Sequence, residues 1–364
     1  MTSSTISQPL NNFPLPSQSG SGFVVKTPVN FTGGDALVGF SASGWSAQPG
    51  PISMSLWLDN QPTGAVLGTY ASQGAMHLSL GHTWAWLRQV PAGQHALMLE
   101  AGPTTVTDQN DFACVTVIQP NDGLAIRFAE DAPCPAGVAQ PLITARAETK
   151  GGGLLVSGSN SGWVTQAGTT VRSSLVYDGG DGAPMEVFAN NANQHLTVVP
   201  TDTILDSNRG NHEFQVFGGG MAQTDQTDYA HLAVVEWVNY DQAPAYLSGI
   251  TNASAQTQHG DGGTIASVPV TSKGGTLLLK VGVSGFSTQA NKPLVVGIQI
   301  DGTSKGFAQV FANPANTHMA MVTNDLVVTG VPAGSHRLGL IGEAGTYTDQ
   351  NDRVSALVME FPKS

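Results

Sequence analysis

The feature that most constrains the fold is an internal repeat, because three stretches of about 100 residues carry the same pattern at the same spacing. In each copy a Gly-Gly pair precedes an apolar run that ends in Ser-Gly followed by an aromatic residue. The second glycine and the aromatic residue are 11 positions apart in all three copies. The aromatic positions are Trp45, Trp163 and Phe286. Since the spacing is kept while most side chains differ, the sequence predicts one fold copied three times.

Two columns of histidine extend the repeat. A first histidine follows the aromatic residue by 32 positions, at His77, His195 and His318. A second histidine stands in a Gly-x-His turn, at His95, His212 and His336. Each copy then has a Thr-Asp-Gln-x-Asp motif, and these motifs contain the aspartate pairs Asp108 and Asp111, Asp225 and Asp228, and Asp349 and Asp352. Six of the nine histidines therefore occupy equivalent positions in the repeat.

Composition and periodicity indicate the type of secondary structure. Only 11% of the residues are charged, whereas the chain contains 44 Gly and 21 Pro, which favours strands joined by many turns over helices. Short runs of alternating apolar and polar residues, bounded by turn-forming residues, predict seven or eight strands per copy. The expected fold class is therefore all-β, with three tandem antiparallel sandwiches.

The repeat also predicts the organisation of the chain. The three units are placed at residues 21–120, 140–240 and 264–362, and the turn-rich stretches between them are interpreted as linkers. Residues 1–20 are polar and interrupted by proline, so we expect an extended arm that does not fold by itself. Linkers of about 20 residues are long enough to pass around a triangle, which favours a compact intrachain pseudo-trimer over a linear array.

An antiparallel sandwich of about eight strands is typical of a jelly roll. The strand count, the repeat length and the Gly-x-His-x-Leu-x-Leu hairpins around His95 and His336 resemble the jelly rolls of the tumour-necrosis-factor and complement C1q type, and those of viral capsid, decoration and fibre proteins. The resemblance covers all three copies. Such jelly rolls usually work as trimers, so the resemblance implies a trimer fused into one polypeptide.

Two of the repeated columns are candidate binding residues. In a ring of three units, His77, His195 and His318 lie on a circle, and three imidazoles near its centre could bind Zn, Ni or Fe. The alternative is a polar histidine satisfied by the carbonyl of a neighbouring strand. The three repeat aromatics could form stacking platforms for a sugar, or they could plug the end of a sandwich or a contact between copies.

The second histidine column and the aspartate motifs have structural interpretations. We expect His95, His212 and His336 to pin a hairpin by a hydrogen bond, with an aspartate of the Thr-Asp-Gln-x-Asp loop as the candidate partner. The first aspartates of those loops are assigned to turn geometry, at Asp108, Asp225 and Asp349. Calcium is the alternative for the loops, although Asp-x-x-Asp supplies few of the roughly 6–8 oxygen ligands that the ion needs.

Charge and motif content exclude several classes of function. Lys and Arg number 14 against 26 Asp and Glu, a net charge of −12, which argues against nucleic-acid binding. No apolar stretch has the length of a membrane span, and no signal peptide is recognised at the N-terminus. Cys114 and Cys134 stand outside any metal-binding pair and are expected to be reduced thiols, with a single disulfide as the alternative.

The sequence contains no nucleophile elbow, no His-Glu-x-x-His, no phosphate loop and no dinucleotide fingerprint, so we expect no enzyme and no cofactor. We expect a structural virion protein of a bacterial virus, used as a capsid decoration, spike or tail component, assembled in the host cytoplasm and anchored on other virion proteins through residues 1–20. The first alternative is an adhesin that binds a glycan or a host receptor. Trp57, Trp84 and Trp86 occur only in the first copy and mark a candidate partner surface. An enzyme with its site between copies is a third hypothesis.

Overall fold

The computed structural model describes residues 5–120, 124–220, 222–237, 245–260 and 262–361. Within these ranges the secondary structure consists of strands and turns, without a helix. No described segment is therefore a helix that could cross a bilayer. The prediction of an all-β fold is confirmed.

The first unit is built from eight long strands and one short pair. They are β1 (Thr5–Pro14), β2 (Gln18–Ser19), β3 (Gly22–Phe31), β4 (Gly34–Gly44), β5 (Gly50–Leu58), β6 (Gln61–Ala71), β7 (Leu78–Val90), β8 (Gly93–Ala101), β9 (Val106–Thr107) and β10 (Phe112–Gln119). The long strands form two antiparallel sheets, an inner sheet of order β1-β10-β4-β7 and an outer sheet of order β3-β8-β5-β6. Numbered from first to eighth along the chain, the long strands have the orders 1-8-3-6 and 2-7-4-5. This connectivity is a jelly roll.

The second and third units repeat this topology. The strands of the second unit are β11 (Leu124–Pro133), β12 (Gly137–Val138), β13 (Pro141–Val164), β14 (Thr169–Tyr177), β15 (Gly180–Ala189), β16 (Leu196–Thr197), β17 (Thr201–Gly219), β18 (Ala222–Thr224) and β19 (Tyr229–Trp237). The strands of the third unit are β20 (Ala245–Ser254), β21 (Gln258–His259), β22 (Thr264–Gly285), β23 (Lys292–Ile300), β24 (Thr303–Ala312), β25 (Met319–Ala320), β26 (Asn324–Gly342), β27 (Tyr347–Thr348) and β28 (Arg353–Phe361).

Four of these strands pass from one sheet of their sandwich to the other. The first half of β13 pairs with the second half of β17 in the outer sheet, and the remaining halves pair in the inner sheet. β22 and β26 do the same in the third unit. In the first unit, two separate strands take the place of each long strand. β3 and β4 correspond to the two halves of β13, and β7 and β8 correspond to the two halves of β17. The three units therefore have the same strand order despite different strand lengths.

Glycines of the repeat lie at the corner where the chain changes sheets. On one strand of the corner, φ is +97° at Gly33, +86° at Gly151 and +91° at Gly274. On the paired strand, the glycines of the Gly-x-His turns, Gly93, Gly210 and Gly334, have φ of +132°, +155° and +141°. A side chain is strongly disfavoured at such φ values, so glycine permits both strands to bend together. The Gly-Gly and Gly-x-His motifs are therefore two halves of one corner.

The expectation of an extended N-terminal arm is wrong for residues 5–14. These residues form β1, which pairs with β10, and Leu10 on β1 is buried in the core. In the same way, β11 and β20 occupy the stretches that were interpreted as linkers. Each jelly roll therefore begins at the first strand of its inner sheet, upstream of residues 21, 140 and 264. Residues 1–4 lie outside the described residues.

The two sheets of each sandwich differ in what covers them. In β10 every residue after Phe112 is buried, whereas buried and more exposed residues alternate along β5 of the outer sheet. Because side chains alternate between the faces of a sheet, continuous burial means that a second layer covers the inner sheet. That layer is an apolar cluster shared by all three units. Its members include Leu37, Trp84, Ile118, Leu155, Ala233, Val235, Leu278, Leu357, Met359 and Phe361.

Candidate functional sites between the sandwiches

Three of the repeated motifs meet at one place in each unit. In the first unit, the imidazole of His77 lies 5.7 Å from the ring of Trp45, centroid to centroid, and beside the aspartates of the loop before β10. The corresponding ring distances are 5.8 Å in the second unit and 4.6 Å in the third. We call each group a seam site. The three seam sites are Ser43, Trp45, His77, Asp108 and Asp111; Ser161, Trp163, His195, Asp225 and Asp228; and Ser284, Phe286, His318, Asp349 and Asp352.

The second aspartate organises each seam site. Asp111 is fully buried, and its Oδ1 accepts hydrogen bonds from Ser43 Oγ at 3.0 Å and from His77 Nδ1 at 2.9 Å. Its Oδ2 accepts the backbone N–H of Asp108 at 3.0 Å. A buried carboxylate needs such partners, and three donors supply them here. The repeat therefore keeps a serine, a histidine and an aspartate because they satisfy one another.

The other two units reproduce these contacts. Ser161 Oγ and His195 Nδ1 reach Asp228 Oδ1 at 2.9 and 3.0 Å. Ser284 Oγ and His318 Nδ1 reach Asp352 Oδ1 at 3.0 and 2.9 Å. Since these distances agree within 0.1 Å, the three sites share the same arrangement of serine, histidine and second aspartate. The serine was part of the Ser-Gly-aromatic motif, but its role could not be read from the sequence.

In every unit the backbone N–H of the seam histidine donates to the next sandwich. The N–H of His77 donates to Asn313 Oδ1 in the third unit at 2.8 Å. The N–H of His195 donates to Ser72 Oγ in the first unit at 3.1 Å. The N–H of His318 donates to Asn190 Oδ1 in the second unit at 2.7 Å. The acceptors directly follow β24, β6 and β15, so equivalent positions join the three units in cyclic order.

An aromatic ring of the neighbouring sandwich packs on each histidine as well. Its centroid lies 5.1–5.2 Å from the imidazole centroid in the three pairs. The pairs are Phe311 with His77, Tyr70 with His195, and Phe188 with His318. The imidazole is thus held between an aromatic ring of its own unit and one of the next.

The predicted metal site made of three histidines is not formed. Among the described residues, His77, His195 and His318 each form a candidate ligand group with two aspartates of their own unit, and no group contains two of these histidines. The physical reason is that each histidine lies at a different contact between sandwiches rather than at their common centre. Sugar stacking on the repeat aromatics stays a prediction. Trp45, Trp163 and Phe286 are half-buried, and one side of each ring faces the imidazole.

The second histidine column lies at the sheet corner, with a different partner from the predicted one. His95 Nδ1 is 2.6 Å from Asp59 Oδ2, the aspartate that follows β5, and not near the Thr-Asp-Gln-x-Asp loop. His95 Nε2 is 3.0 Å from the carbonyl oxygen of Pro91. His212 contacts Asp178 and His336 contacts Asp301, each at 2.7 Å. The error arose because the sequence does not show which aspartate lies opposite the turn.

Both nitrogens of these corner histidines face acceptors, so the doubly protonated imidazolium satisfies the site best. Accordingly, the hydrogen bond to Asp59 raises the pKa of His95. The hydrogen bonds to Asp178 and Asp301 raise the pKa of His212 and of His336 in the same way. The aspartates Asp108, Asp225 and Asp349 have the expected turn geometry, because each accepts a backbone N–H two residues ahead.

A further repeated column was missed. Eight positions after the second aspartate of each motif, a side chain at the end of the inner sheet accepts the backbone N–H next to the corner. These acceptors are Gln119 for Thr32, Glu236 for Lys150 and Glu360 for Lys273. The spacing of eight was visible in the sequence, but a mixture of Gln and Glu after an apolar strand gave no sign of a capping role.

The centre of the molecule holds polar side chains that do not repeat. The ammonium of Lys280 lies 3.0 Å from Asp202 Oδ1 and donates to Ser157 Oγ at 2.8 Å. His82 Nε2 lies 2.6 Å from Asp325 Oδ2. We call these five residues the central cluster. All five are buried, and each of the two carboxylates contacts a histidine or lysine of a different unit. Burial lowers the pKa of His82, although the charge of Asp325 opposes that change.

The central cluster breaks the equivalence of the three units. Gly39, Ser157 and Lys280 all stand six positions before their repeat aromatic. A Cβ at Gly39 would lie 2.5 Å from Asp325 Oδ2, so glycine leaves room for that carboxylate. Three lysines at this level would repel one another in a dry interior, whereas one lysine with two carboxylates is compensated.

The cysteines and the tryptophans of the first unit take separate positions. Cys114 and Cys134 are buried free thiols, and burial raises the pKa of Cys114 to about 12. Trp84 is buried beside the central cluster. Trp86 donates to Asp35 and is covered by the guanidinium of Arg88, 4.0 Å above its ring. Trp57 lies on the outer sheet.

Comparisons with known proteins give no family. No family model matches the sequence, and no curated protein matches it. Among solved structures, the chain is similar to a protein described as a triple jelly roll in the turret assembly of an archaeal virus, with 10% identity, a TM-score of 0.22, and coverage of 97% of this chain and 91% of that chain. A chain of Sulfolobus Turreted Icosahedral Virus gives 10% identity, a TM-score of 0.21 and coverage of 100% and 92%.

A third solved structure contains tandem family 51 carbohydrate-binding modules of a family 98 glycoside hydrolase from Streptococcus pneumoniae. It gives 11% identity, a TM-score of 0.18 and coverage of 62% of this chain and 83% of that chain. These TM-scores are too low to assign a function. The jelly roll of each unit is defined by its own strand order.

Proposed function

We propose that this chain is a non-enzymatic structural component of a virion, in which one polypeptide supplies the three jelly rolls of a closed ring. The observation that carries the proposal is the cyclic set of contacts between the units. Equivalent hydrogen bonds run from the first unit to the third, from the third to the second, and from the second to the first. A linear array has no contact between its first and last members, so these bonds favour a ring.

The repeated polar residues support a structural role. In each seam site the serine, the histidine and the second aspartate bond to one another, and the corner histidines bond to the aspartate of the adjacent turn. Groups held in this way shape loops and contacts between units. The formal charge of −12 is unfavourable for binding to nucleic acid.

Within a virion, the proposed roles are capsid decoration, spike or tail component, with a bacterial virus as the proposed source. Anchoring through residues 1–20 is not part of the proposal. Residues 5–14 belong to the first sandwich, and Gln8 on β1 already bonds to Asn324 and to the N–H of Val327 in the third unit.

The proposal predicts that one chain is a complete ring-shaped particle. Sedimentation of the purified chain should give the mass of a single copy, and electron microscopy should show three lobes around a centre. Mass spectrometry of purified virus particles should detect the chain in them. An elongated single copy, or absence from particles made in cells that express it, would contradict the proposal.

The alternative of a glycan-binding adhesin is supported by one aromatic pair on the outer sheet, formed by an exposed phenylalanine and a half-buried tryptophan. Phe23 on β3 is 44% exposed and packs edge-on against Trp57 on β5, with ring centroids 5.5 Å apart. Exposed aromatic faces beside polar groups are typical of sugar contacts. Binding to a glycan array that Trp57→Ala abolishes would support this alternative. Phe13→Ala is the matched control, since Phe13 is 42% exposed on β1.

A further inference from the structure

The orientation of each seam histidine is fixed by its second aspartate. The carboxylate of Asp111 can only accept, so Nδ1 of His77, at 2.9 Å, carries a proton and donates it. In the neutral imidazole, the other nitrogen, Nε2, then holds a lone pair. His77 as a whole is only 5% exposed.

That second nitrogen faces the carboxylate of the first aspartate at a distance beyond a hydrogen bond. Nε2 of His77 has no hydrogen-bond partner among the described residues, and Asp108 Oδ2 lies 3.8 Å away. His318 Nε2 and Asp349 Oδ2 are 3.9 Å apart. These distances are too long for a direct hydrogen bond, so a gap separates the imidazole nitrogen from the carboxylate oxygen. In the second unit, ligand atoms of the equivalent histidine and aspartates all lie within 4.8 Å of one another.

A divalent transition metal fits such a gap. Zinc bonds of about 2.0–2.2 Å in tetrahedral geometry place two ligand atoms about 3.4 Å apart, so the histidine and aspartate side chains would close by about 0.5 Å around the ion. A histidine whose other nitrogen donates to a carboxylate is the arrangement that orients a metal ligand. The side chain of Asp108 is 29% exposed and that of Asp349 is 35% exposed, so water can supply the remaining ligands.

We propose that each seam site binds one zinc-like divalent ion between the histidine Nε2 and the outer oxygen of the first aspartate. The ligand pairs are His77 with Asp108, His195 with Asp225, and His318 with Asp349. Calcium suits these sites less well, because it requires more oxygen ligands and does not favour imidazole. The site therefore differs both from a shared three-histidine centre and from a calcium loop.

The ion would join the loop before the last strand to the histidine that touches the neighbouring sandwich. Since binding to the folded state stabilises it, zinc should raise the melting temperature of the whole ring. The corner histidines offer an internal contrast. His95 uses both nitrogens, at 2.6 Å from Asp59 and 3.0 Å from the Pro91 carbonyl, and has no lone pair for an ion.

The test is calorimetric titration of the full chain with Zn²⁺ after removal of metals by a chelator. We expect three ions per chain, and we expect Asp108→Asn, Asp225→Asn and Asp349→Asn each to remove one ion. Asparagine keeps the Oδ1 acceptor that the loop N–H uses, so the loop is preserved. Asp59→Asn, which alters a carboxylate beside a corner histidine, is the matched control and should leave three ions.

A second measurement needs no variant. In the ¹⁵N spectrum of the unaltered chain, Zn²⁺ should shift Nε2 of the seam histidines and leave the corner histidines unchanged. The proposal is wrong if Zn²⁺ at about 100 μM causes no uptake and no such shift. It is equally wrong if the seam variants keep three ions, if Asp59→Asn removes as many as they do, or if Ca²⁺ in excess displaces the bound Zn²⁺.

Discussion

The seam sites and the central cluster are both buried contacts between sandwiches, but they are built in opposite ways. Each seam site uses residues of the repeat, and the hydrogen bonds from its serine and its histidine to the second aspartate agree within 0.1 Å in three copies. The central cluster uses residues that occur once, such as Lys280 with Asp202 and His82 with Asp325. Repeated residues form the same contact between each pair of sandwiches. Only unique residues can specify which copy stands beside which, because they make the three positions inequivalent.

The largest effect is expected from deleting β1, which joins the first sandwich to the third. Deleting residues 1–14 removes the edge strand of the first inner sheet together with its contacts to the third unit, while all three seam sites remain. We expect a loss of more than about 5 kcal/mol in the free energy of unfolding, and aggregation through the uncovered β10. Deletion of residues 1–4 is the control for thermal melting. An unchanged melting temperature after the longer deletion would restore the arm interpretation.

The next effect concerns the central cluster. The side chains of Lys280 and Asp202 are 2% and 5% exposed, respectively. Lys280→Met therefore leaves the buried carboxylate of Asp202 without its cation. Breaking a buried pair in this way should cost about 3–5 kcal/mol in denaturant unfolding. Replacing both residues, as Lys280→Met with Asp202→Leu, should recover most of the loss. If the free energy of unfolding of Lys280→Met lies within about 1 kcal/mol of that of the unaltered chain, the pair is hydrated as a surface pair is.

A smaller effect is expected at each seam site, with the same size in all three. Asp111→Ala, Asp228→Ala and Asp352→Ala each remove an acceptor that serves a serine, a histidine and a backbone N–H. Each variant should lose about 2–4 kcal/mol in denaturant unfolding, because buried donors are left unsatisfied. Losses that differ by more than about 2 kcal/mol among the three would contradict the equivalence of the sites.

The smallest effect is in the pH dependence of melting, where the corners and the centre have opposite signs. The pKa values of His95, His212 and His336 are raised, so their stabilisation is complete below about pH 6.5 and is lost as the pH rises through the raised values. The pKa of His82 is lowered, so its contribution is present above about pH 6.5 and is lost as the pH falls.

Melting curves between about pH 5 and pH 8 separate the two groups. Replacing all three corner histidines by asparagine should weaken the dependence of the melting temperature on pH on the alkaline side, above about pH 6.5. The variant His82→Asn should weaken it on the acidic side, below about pH 6.5. Exposed pairs are screened by solvent, so the change on the alkaline side should be small. If His82→Asn altered the alkaline side instead, the assignment of His82 to the acidic side would be wrong.

Part of the site could be found from the sequence because it repeats. The spacing placed Trp45, His77 and Asp111 in one pattern, and that pattern marks the three seam sites. The partner of His95 was assigned wrongly, since Asp59 and Asp108 are both aspartates in turns near a strand end. Spacing identifies which residues are equivalent, but it does not identify what lies opposite them in the sheet.

The strands at the start of each unit were missed for a related reason. β1 has the sequence TISQPLNNFP, whose polar residues and proline are typical of an unfolded segment. Two of its polar side chains bond across to the third sandwich, where Gln8 and Asn11 contact Asn324. Local composition could not reveal a partner more than 300 residues away.

The amino-acid sequence by itself determined three copies of a turn-dense antiparallel sandwich, because glycine corners, alternating strands and fixed spacings act over short distances. The tertiary structure alone decided which surfaces of those copies meet, where Lys280 finds its carboxylate, and that the seam histidines lie apart. These outcomes depend on contacts between residues far apart in the chain, and the free energy of burying a charge or a ring depends on what surrounds it after folding.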